Sequence, residues 1–209
     1  MADWVTISSL STAGGTLVLA GATFASVRSA NRAARVAERS LLAGLRPLLV
    51  PSHLSDEPQK VHFADGRVVV TPGGGGAAEL GDDAVYLTLS LRNAGSGIAV
   101  LHGWHFYPAR NTDLERPDAD GFRRLTRDLY IAAGDLGFWQ GAFRDPSEPE
   151  LAAARDAIGR REPVSVDVLY GDYEGGQRVI SRFAFWPRDD GSWISGVARH
   201  WNLDRSDPR

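Results

Sequence analysis

Paired histidines and paired carboxylates are the side chains of this sequence that could do metal or acid–base chemistry. His102 and His105 stand three residues apart in a stretch that reads as a strand, so their side chains point to opposite faces and cannot share a metal ion. Asp167 is predicted on the exposed face of a strand and Asp172 in a tight turn, and spacing brings neither of them a catalytic partner. We therefore predict that the chain is not an enzyme and has no catalytic, cofactor or metal site.

Composition narrows the function classes further. The chain has 209 residues and no cysteine, which excludes disulfide bonds, thiolate metal sites and cysteine nucleophiles. Its 23 basic and 26 acidic side chains give a net charge of −3, and this balance lacks the basic excess of a nucleic-acid-binding domain. We expect no nucleic-acid partner.

The N-terminal segment 4–27 has no ionisable side chain between Asp3 and Arg28. A helix of that length is long enough to cross the hydrocarbon core of a bilayer. We predict a single transmembrane helix there, with the lipid bilayer as a partner. The alternative is a small-residue helix buried in a soluble assembly, because serine, threonine and glycine dilute the apolar residues. Basic residues follow the segment and none precedes it, which predicts a cell-membrane protein with its N-terminus outside and its remainder in the cytoplasm.

An alanine- and arginine-rich amphipathic helix is predicted at about 28–45. At 100° per residue its arginines share one face, where they would set the topology or contact lipid headgroups. These residues are Arg28, Arg32, Arg35, Arg39 and Arg46. Small residues also recur at spacings of three and four, which favours close helix pairing, although a region this rich in small residues can show such a seam by composition alone. We expect homo-oligomerisation through the helix, at Ala13, Thr16, Ala20, Thr23, Ala30, Ala34 and Ala37.

After Pro47 the apolar period changes from 3.6 to 2, which predicts strands. Residues 84–93 alternate most clearly, with one buried and one exposed face. Asp65-Gly66 and Glu174-Gly175-Gly176 separate apolar runs and predict hairpin turns. The pattern predicts a mainly β fold, an antiparallel immunoglobulin-like β-sandwich over residues 46–203. The expected core residues are Ile98, Val100, Val164, Val166, Val168, Phe183 and Phe185.

Four segments interrupt the strand pattern. The run Gly73 to Gly76 is predicted to be a flexible hairpin loop, and the polar stretch 109–124 a longer loop. Residues 147–158 carry the apolar spacing of one short inserted helix. Residues 204–209 are predicted to be a disordered tail. Together these interpretations give an N-terminal helical segment at 1–45, one β-domain and a tail.

This layout resembles that of uncharacterised single-pass membrane proteins. In these proteins a membrane span leads through an alanine- and arginine-rich helix into an immunoglobulin-like sandwich. The likeness rests on Arg46-Pro47 at the domain entry, LRNAGSGIA at 91–99 and VLYGDYEGG at 168–176. The resemblance implies the same fold and a membrane anchor, and it brings no activity, cofactor or catalytic residue.

The tryptophans are the residues that best suggest a binding function. Trp104, Trp186 and Trp193 are interpreted as a partner surface, because aromatic residues are enriched at interfaces; the alternative is that they pack in the core. We predict a membrane-anchored interaction or scaffold module with an unidentified protein partner. A membrane-tethered ligand-binding or sensory sandwich is the second hypothesis, and an enzyme the third. An enclosed pocket lined by tryptophans would favour the second, and an exposed aromatic or sheet-edge patch the first.

Overall fold

The chain divides into two units, Met1–Gly44 and Leu45–Arg209, in a computed structural model that describes residues 4–207. The sequence predicts this boundary one residue later, between residues 45 and 46. The predictions for residues 1–3 and 208–209 lie outside the described residues.

The first unit is one continuous helix, α1 (Trp4–Gly44). Its described large apolar side chains, which begin at Leu17, are exposed, and Leu17 and Leu19 are 73% and 70% exposed. Among residues 4–207, no helix combines the length and the apolar content that crossing a membrane requires. The predicted span at 4–27 is therefore not supported, because its serines, threonines and glycines lower the mean hydropathy.

Four of the five arginines of the predicted face lie on α1, and their role toward lipid headgroups or topology stays a prediction. Arg28, Arg32, Arg35 and Arg39 are exposed on α1. Arg46 was assigned wrongly, because it belongs to the second unit and its guanidinium donates to Asn202 Oδ1, at 2.9 Å, and to Asp204.

The predicted disordered tail is also wrong over residues 204–207. Besides the ion pair of Asp204 with Arg46, Asp207 accepts a hydrogen bond from the backbone N–H of Asn202 at 2.7 Å. These two carboxylates hold the segment against the β-domain.

The residues predicted for helix association all lie in α1. Six of them, Thr16, Ala20, Thr23, Ala30, Ala34 and Ala37, are exposed. Homo-oligomerisation through this face stays a prediction, because the structure describes a single chain.

The second unit is mainly β and antiparallel, as predicted. Within residues 4–207 its strands are β1 (Leu49–Pro51), β2 (Gln59–His62), β3 (Val68–Thr71), β4 (Gly75–Leu80), β5 (Val85–Asn93), β6 (Ala99–Tyr107), β7 (Arg123–Ile131), β8 (Leu136–Phe143), β9 (Val164–Gly171), β10 (Arg178–Pro187) and β11 (Trp193–Asn202). The main sheet runs β1-β5-β4-β11-β10-β9-β6-β7, and β8 pairs with β5. The consecutive strands β7 and β8 thus lie at opposite ends of the sheet, which curls. A single curled sheet does not confirm an immunoglobulin-like sandwich.

The inner face of the curled sheet encloses the main core. Helix α2 (Pro149–Gly159), predicted at 147–158, buries Leu151, Ala154 and Ile158 in this core. The predicted core residues of β9 and β10 are buried, namely Val164, Val166, Val168, Phe183 and Phe185. Ile98 was assigned wrongly, since it is 42% exposed, and Val100 is only partly buried. Their neighbours Ala99 and Leu101 occupy the core instead.

A second layer covers the outer face of β5. The β2–β3 hairpin, with the predicted Asp65-Gly66 turn, packs Val61, Phe63 and Val69 against Tyr86. Thr88 and Ser90 on this face are fully buried, so the expected exposed face of β5 is not exposed. The hydroxyl of Thr88 is hydrogen-bonded to that of Thr71, and the hydroxyl of Ser90 to that of Ser52.

Only half of the run Gly73 to Gly76 is the turn that was predicted: Gly73 and Gly74 form the turn between β3 and β4, and the other two glycines belong to the sheet. Gly75 and Gly76 begin β4 and pair with Ile194 and Trp193 of β11. The absence of side chains lets this strand lie close to its neighbours, since glycine permits near approach of another backbone.

The turn between β2 and β3 is held by a network centred on Asp65. Its carboxylate accepts hydrogen bonds from the Tyr86 hydroxyl at 2.8 Å and from Arg144 at 2.7 Å. Burial by itself raises the pKa of Asp65, but the bonds from Arg144 and Tyr86 outweigh it and lower the pKa to about 2. The ionised form therefore stabilises the folded state.

This network predicts an acid-sensitive contribution to stability. Because the pKa of Asp65 is lower in the folded chain than its ordinary value of 3.8, its contribution is complete above that value and is lost as the pH falls toward 2. The wild type should lose about 1 kcal/mol more of its unfolding free energy over this range than Asp65→Asn, allowing for solvent screening. Urea unfolding of both proteins across the range measures the difference, and parallel pH profiles would contradict the prediction.

Candidate functional site

A polar segment crosses the outer face of β9, β10 and β11. We call residues 108–122 the strap; it contains most of the predicted loop, including a 3₁₀ turn at Ala119–Gly121. Asn111 donates its N–H to Ser165 Oγ at 2.9 Å, and Trp201 Nε1 donates to the carbonyl of Leu114 at 3.4 Å. The strap therefore belongs to the fold of this face and divides it into two clefts.

A buried ion pair lies beneath the strap. Arg182 and Asp167 face each other on β10 and β9, with side chains 2% and 0% exposed and two N–O distances of 2.7 Å. The guanidinium lies between the rings of Tyr107 and Trp201, 4.9 Å from each centroid, and donates to the carbonyl of Asp113 in the strap at 3.1 Å. The prediction of Asp167 on an exposed face is thus wrong, because the strap covers that face.

Electrostatics keep the Arg182 guanidinium charged. Burial alone lowers the pKa of Arg182, but the hydrogen bonds and the charge of Asp167 raise it above its ordinary value. The pKa of Tyr107 rises to about 12 because of burial and of the Asp167 charge, so its hydroxyl donates to that carboxylate at 3.1 Å. Within residues 4–207 the further hydrogen bonds of this pair run to the Tyr107 hydroxyl and to the Asp113 carbonyl, so the pair holds β9, β10 and the strap together.

The first cleft, of about 270 Å³, opens between the strap and β10–β11. We call it the Trp186 cleft, since the partly buried indole of Trp186 forms one wall. The guanidinium of Arg110 lies 5.9 Å from the Trp186 ring centroid, and Arg199 lines the cleft beside it. The exposed aliphatic side chains of Leu114 and Val197, 66% and 38% exposed, complete it.

The second cleft lies on the other side of the strap and has a volume of about 600 Å³. We call it the His102 cleft. His102, Arg124 and Arg178 contribute its polar groups, and Leu169 and Phe122 its apolar surface.

The prediction that His102 and His105 point to opposite faces is wrong. The extra residue at position 102 shifts the inward positions of β6 from 99 and 101 to 104 and 106. Both histidines therefore lie on the outer face, where His102 lines the His102 cleft beside Phe122 and the His105 ring packs against Tyr107 and Phe122.

The predicted tryptophan surface is not assembled. Trp104 and Trp193 are 3% and 4% exposed and belong to the main core. Trp104 packs edge-on against Trp139 and Phe143 at centroid distances of 5.4 and 5.1 Å. Of the three predicted partner residues, only Trp186 reaches the surface.

The described residues 4–207 contain no group of three histidine or carboxylate side chains placed to hold a metal ion. Protein-family models, curated proteins and solved structures were all compared with the chain, and none of them matches it. The resemblance to single-pass membrane proteins stays a prediction.

The arginines of the two clefts escaped the sequence analysis, because they come from four distant parts of the chain. The buried ion pair, by contrast, could have been predicted from the sequence. Asp167 and Arg182 interrupt apolar runs at equal distances on either side of the predicted Glu174-Gly175 turn, so the hairpin alone sets them opposite each other.

Proposed function

We propose that the β-domain is a non-catalytic protein-interaction module and that its partner binds in the Trp186 cleft. The observation that carries the proposal is the composition of this cleft: a tryptophan face, two arginines and two exposed aliphatic side chains around one concavity. Tryptophan and arginine are the residues in which binding energy concentrates at protein interfaces.

The electrostatics of the cleft indicate the chemistry of the partner. Arg110 and Arg199 form no ion pair with a carboxylate of residues 4–207, whereas the nearby Arg182 is neutralised by Asp167. The side chain of Asp113 lies at the same cleft and leaves one excess positive charge. The partner segment therefore presents an apolar side chain against Trp186 and a carboxylate toward the two arginines.

Helix α1 supplies the attachment of the module. It exposes several large apolar side chains, such as Phe24 at 69%. An exposed apolar surface of this kind usually marks a site of contact with a partner or a membrane, which supports a tethering role for α1. An immunoglobulin-like domain at a cell membrane stays the wider prediction, and the module proposal does not depend on it.

The proposal is tested by affinity isolation of the full-length protein from its native host at native expression. A stoichiometric protein companion should be recovered with the wild type and reduced at least tenfold with Trp186→Ala or Arg199→Glu, since hot-spot truncation costs about 2 kcal/mol or more. The matched control is Tyr173→Ala, which removes another aromatic side chain that is 70% exposed and should leave recovery unchanged.

Two results would overturn the proposal. One is recovery of the wild type without any stoichiometric companion. The other is a companion that binds Trp186→Ala as well as it binds the wild type, while the melting temperature of both shows an intact fold.

A further inference from the structure

We propose that the His102 cleft is a binding site for a small organic oxyanion, a phosphate monoester or a carboxylate, held by Arg124 and Arg178. This site lies across the strap from the Trp186 cleft and does not depend on the proposed protein partner.

Irregular pairing of the sheet creates the cleft. Between β6 and β9 the register passes from Leu101–Tyr170 to Gly103–Leu169, so His102 is an extra residue with no partner. Between β6 and β7 the register passes from Leu101–Leu129 to Gly103–Arg124, which leaves residues 125–128 unpaired on the β7 side. Bulges of this kind redirect side chains and are frequent beside binding sites.

The polar side chains converge over Gly171. A Cβ atom at this glycine would lie 3.1 Å from His102 Nε2, 3.4 Å from Arg178 Cγ and 2.6 Å from the carbonyl of Gln177. A side chain at this position would therefore clash with the Gln177 carbonyl and press against the imidazole, while Arg178 would stay at contact distance. The absence of a side chain at this position lets the imidazole and the base of the Arg178 side chain meet.

No carboxylate among the described residues is bonded to the side chain of either arginine. Neither Arg124 nor Arg178 forms an ion pair or a side-chain hydrogen bond within residues 4–207. Other arginines of the β-domain do, including Arg46, Arg123 and Arg144. Guanidinium groups bind phosphate and carboxylate oxygens through two parallel hydrogen bonds, so an unpaired set in a cleft is suited to such a ligand.

The remaining groups of the cleft define the rest of the ligand. Leu169 and Phe122 offer apolar contact to an organic body, and a volume of about 600 Å³ is within the range of small-molecule sites. The acidic groups around the cleft are Asp120 on the strap, Asp128 on β7 and Asp172 in the β9–β10 turn. Asp172 is buried, and its Oδ1 accepts the N–H of Gln177, whereas its Oδ2 has no hydrogen-bond partner among the described residues.

His102 reports on occupancy of the site. Partial burial and the positive charge of Arg178 lower its pKa, while Asp128 and Asp172 act in the opposite direction. A bound anion stabilises the protonated imidazole, so the pKa of His102 should rise on binding. Affinity should correspondingly increase as the pH falls through this pKa.

Titration of the full-length protein with phenyl phosphate and with benzoate tests the site, with benzamide as the uncharged analogue of benzoate. We expect saturable binding of at least one anion, competition by inorganic phosphate and no binding of benzamide. Arg124→Gln and Arg178→Gln should each weaken binding at least tenfold. The matched control Arg110→Gln, in the other cleft, should not change it. Proton NMR of the His102 ring should show the rise in pKa with the bound anion.

The proposal is overturned if neither anion binds saturably, if benzamide binds as well as benzoate, or if both arginine variants retain wild-type affinity. Its failure is distinguishable from failure of the proposed interaction function. Trp186→Ala should keep the anion site while losing the protein companion, and Arg178→Gln should show the opposite pattern.

Discussion

Replacement of Asp167 by alanine should lower the free energy of unfolding by about 3–5 kcal/mol. The substitution leaves the guanidinium of Arg182 without its carboxylate in a place where that side chain is 2% exposed. The rings of Tyr107 and Trp201 on its two sides do not replace the lost charge, since a cation–π contact contributes only about 1–2 kcal/mol. Urea unfolding of wild type and variant, followed by circular dichroism, measures the change.

The double variant Asp167→Leu with Arg182→Met separates the ion pair from the packing of its atoms. Apolar residues of similar volume remove both charges together, and such replacements are often close to neutral. We expect the double variant to recover most of the stability lost by Asp167→Ala. A cost below about 1 kcal/mol for the single substitution would contradict burial of the pair.

The same variant should loosen the strap. Arg182 holds the strap through the carbonyl of Asp113 at 3.1 Å, and a guanidinium that has lost Asp167 moves toward water. Amide hydrogen exchange over 108–122 should therefore accelerate more than exchange in β5, because local opening depends on the contacts of the segment itself.

Sequence periodicity predicts where the strands of this chain lie, but it does not predict which strand faces are covered by other segments. The alternation in β5, β9 and β10 and the turns at Gly66 and Gly175 are local signals, and each lies where it was predicted. The segments that cover these strand faces lie elsewhere in the sequence. The strap is polar and the β2–β3 hairpin is short, so the sequence of neither segment predicts that the strap covers Asp167 or that the hairpin covers Thr88.

Register explains the error around residue 100. The stretch 98–101 is apolar at every position, so it fits either face of a strand equally well. Pairing of Ala99 with Ile131 and of Leu101 with Tyr170 places the odd-numbered positions inward. Only the neighbouring strands could decide this.

The candidate sites were beyond sequence reasoning for a related reason. Arg110 and Arg199 come together because the strap crosses β11, and Arg124 and Arg178 because β7 and β10 flank β6 and β9. Trp186 was identified from its residue type alone, and the same reasoning assigned Trp104 and Trp193 to the surface. An aromatic side chain favours an interface and a core equally, and burial decides between them.

Replacement of Trp104 by alanine should therefore act on stability, by about 3–5 kcal/mol, and not on a binding surface. Its ring fills the core between Trp139 and Phe143 and supports the guanidinium of Arg123 at 5.3 Å. Truncation leaves a cavity beneath β8. Gly141 is next to this cavity, since its Cβ position lies 3.0 Å from the Trp104 ring, but it has no side chain to fill the space.

Trp186→Ala is the matched control, because it removes the same side chain from a partly exposed position. Its cost should stay near 1 kcal/mol, while its effect on partner recovery is large. Urea unfolding of the two full-length variants, measured side by side with the wild type, makes the comparison. Equal destabilisation by both substitutions would contradict the separation of a core tryptophan from a surface tryptophan, and with it the reason for locating the binding function in the Trp186 cleft.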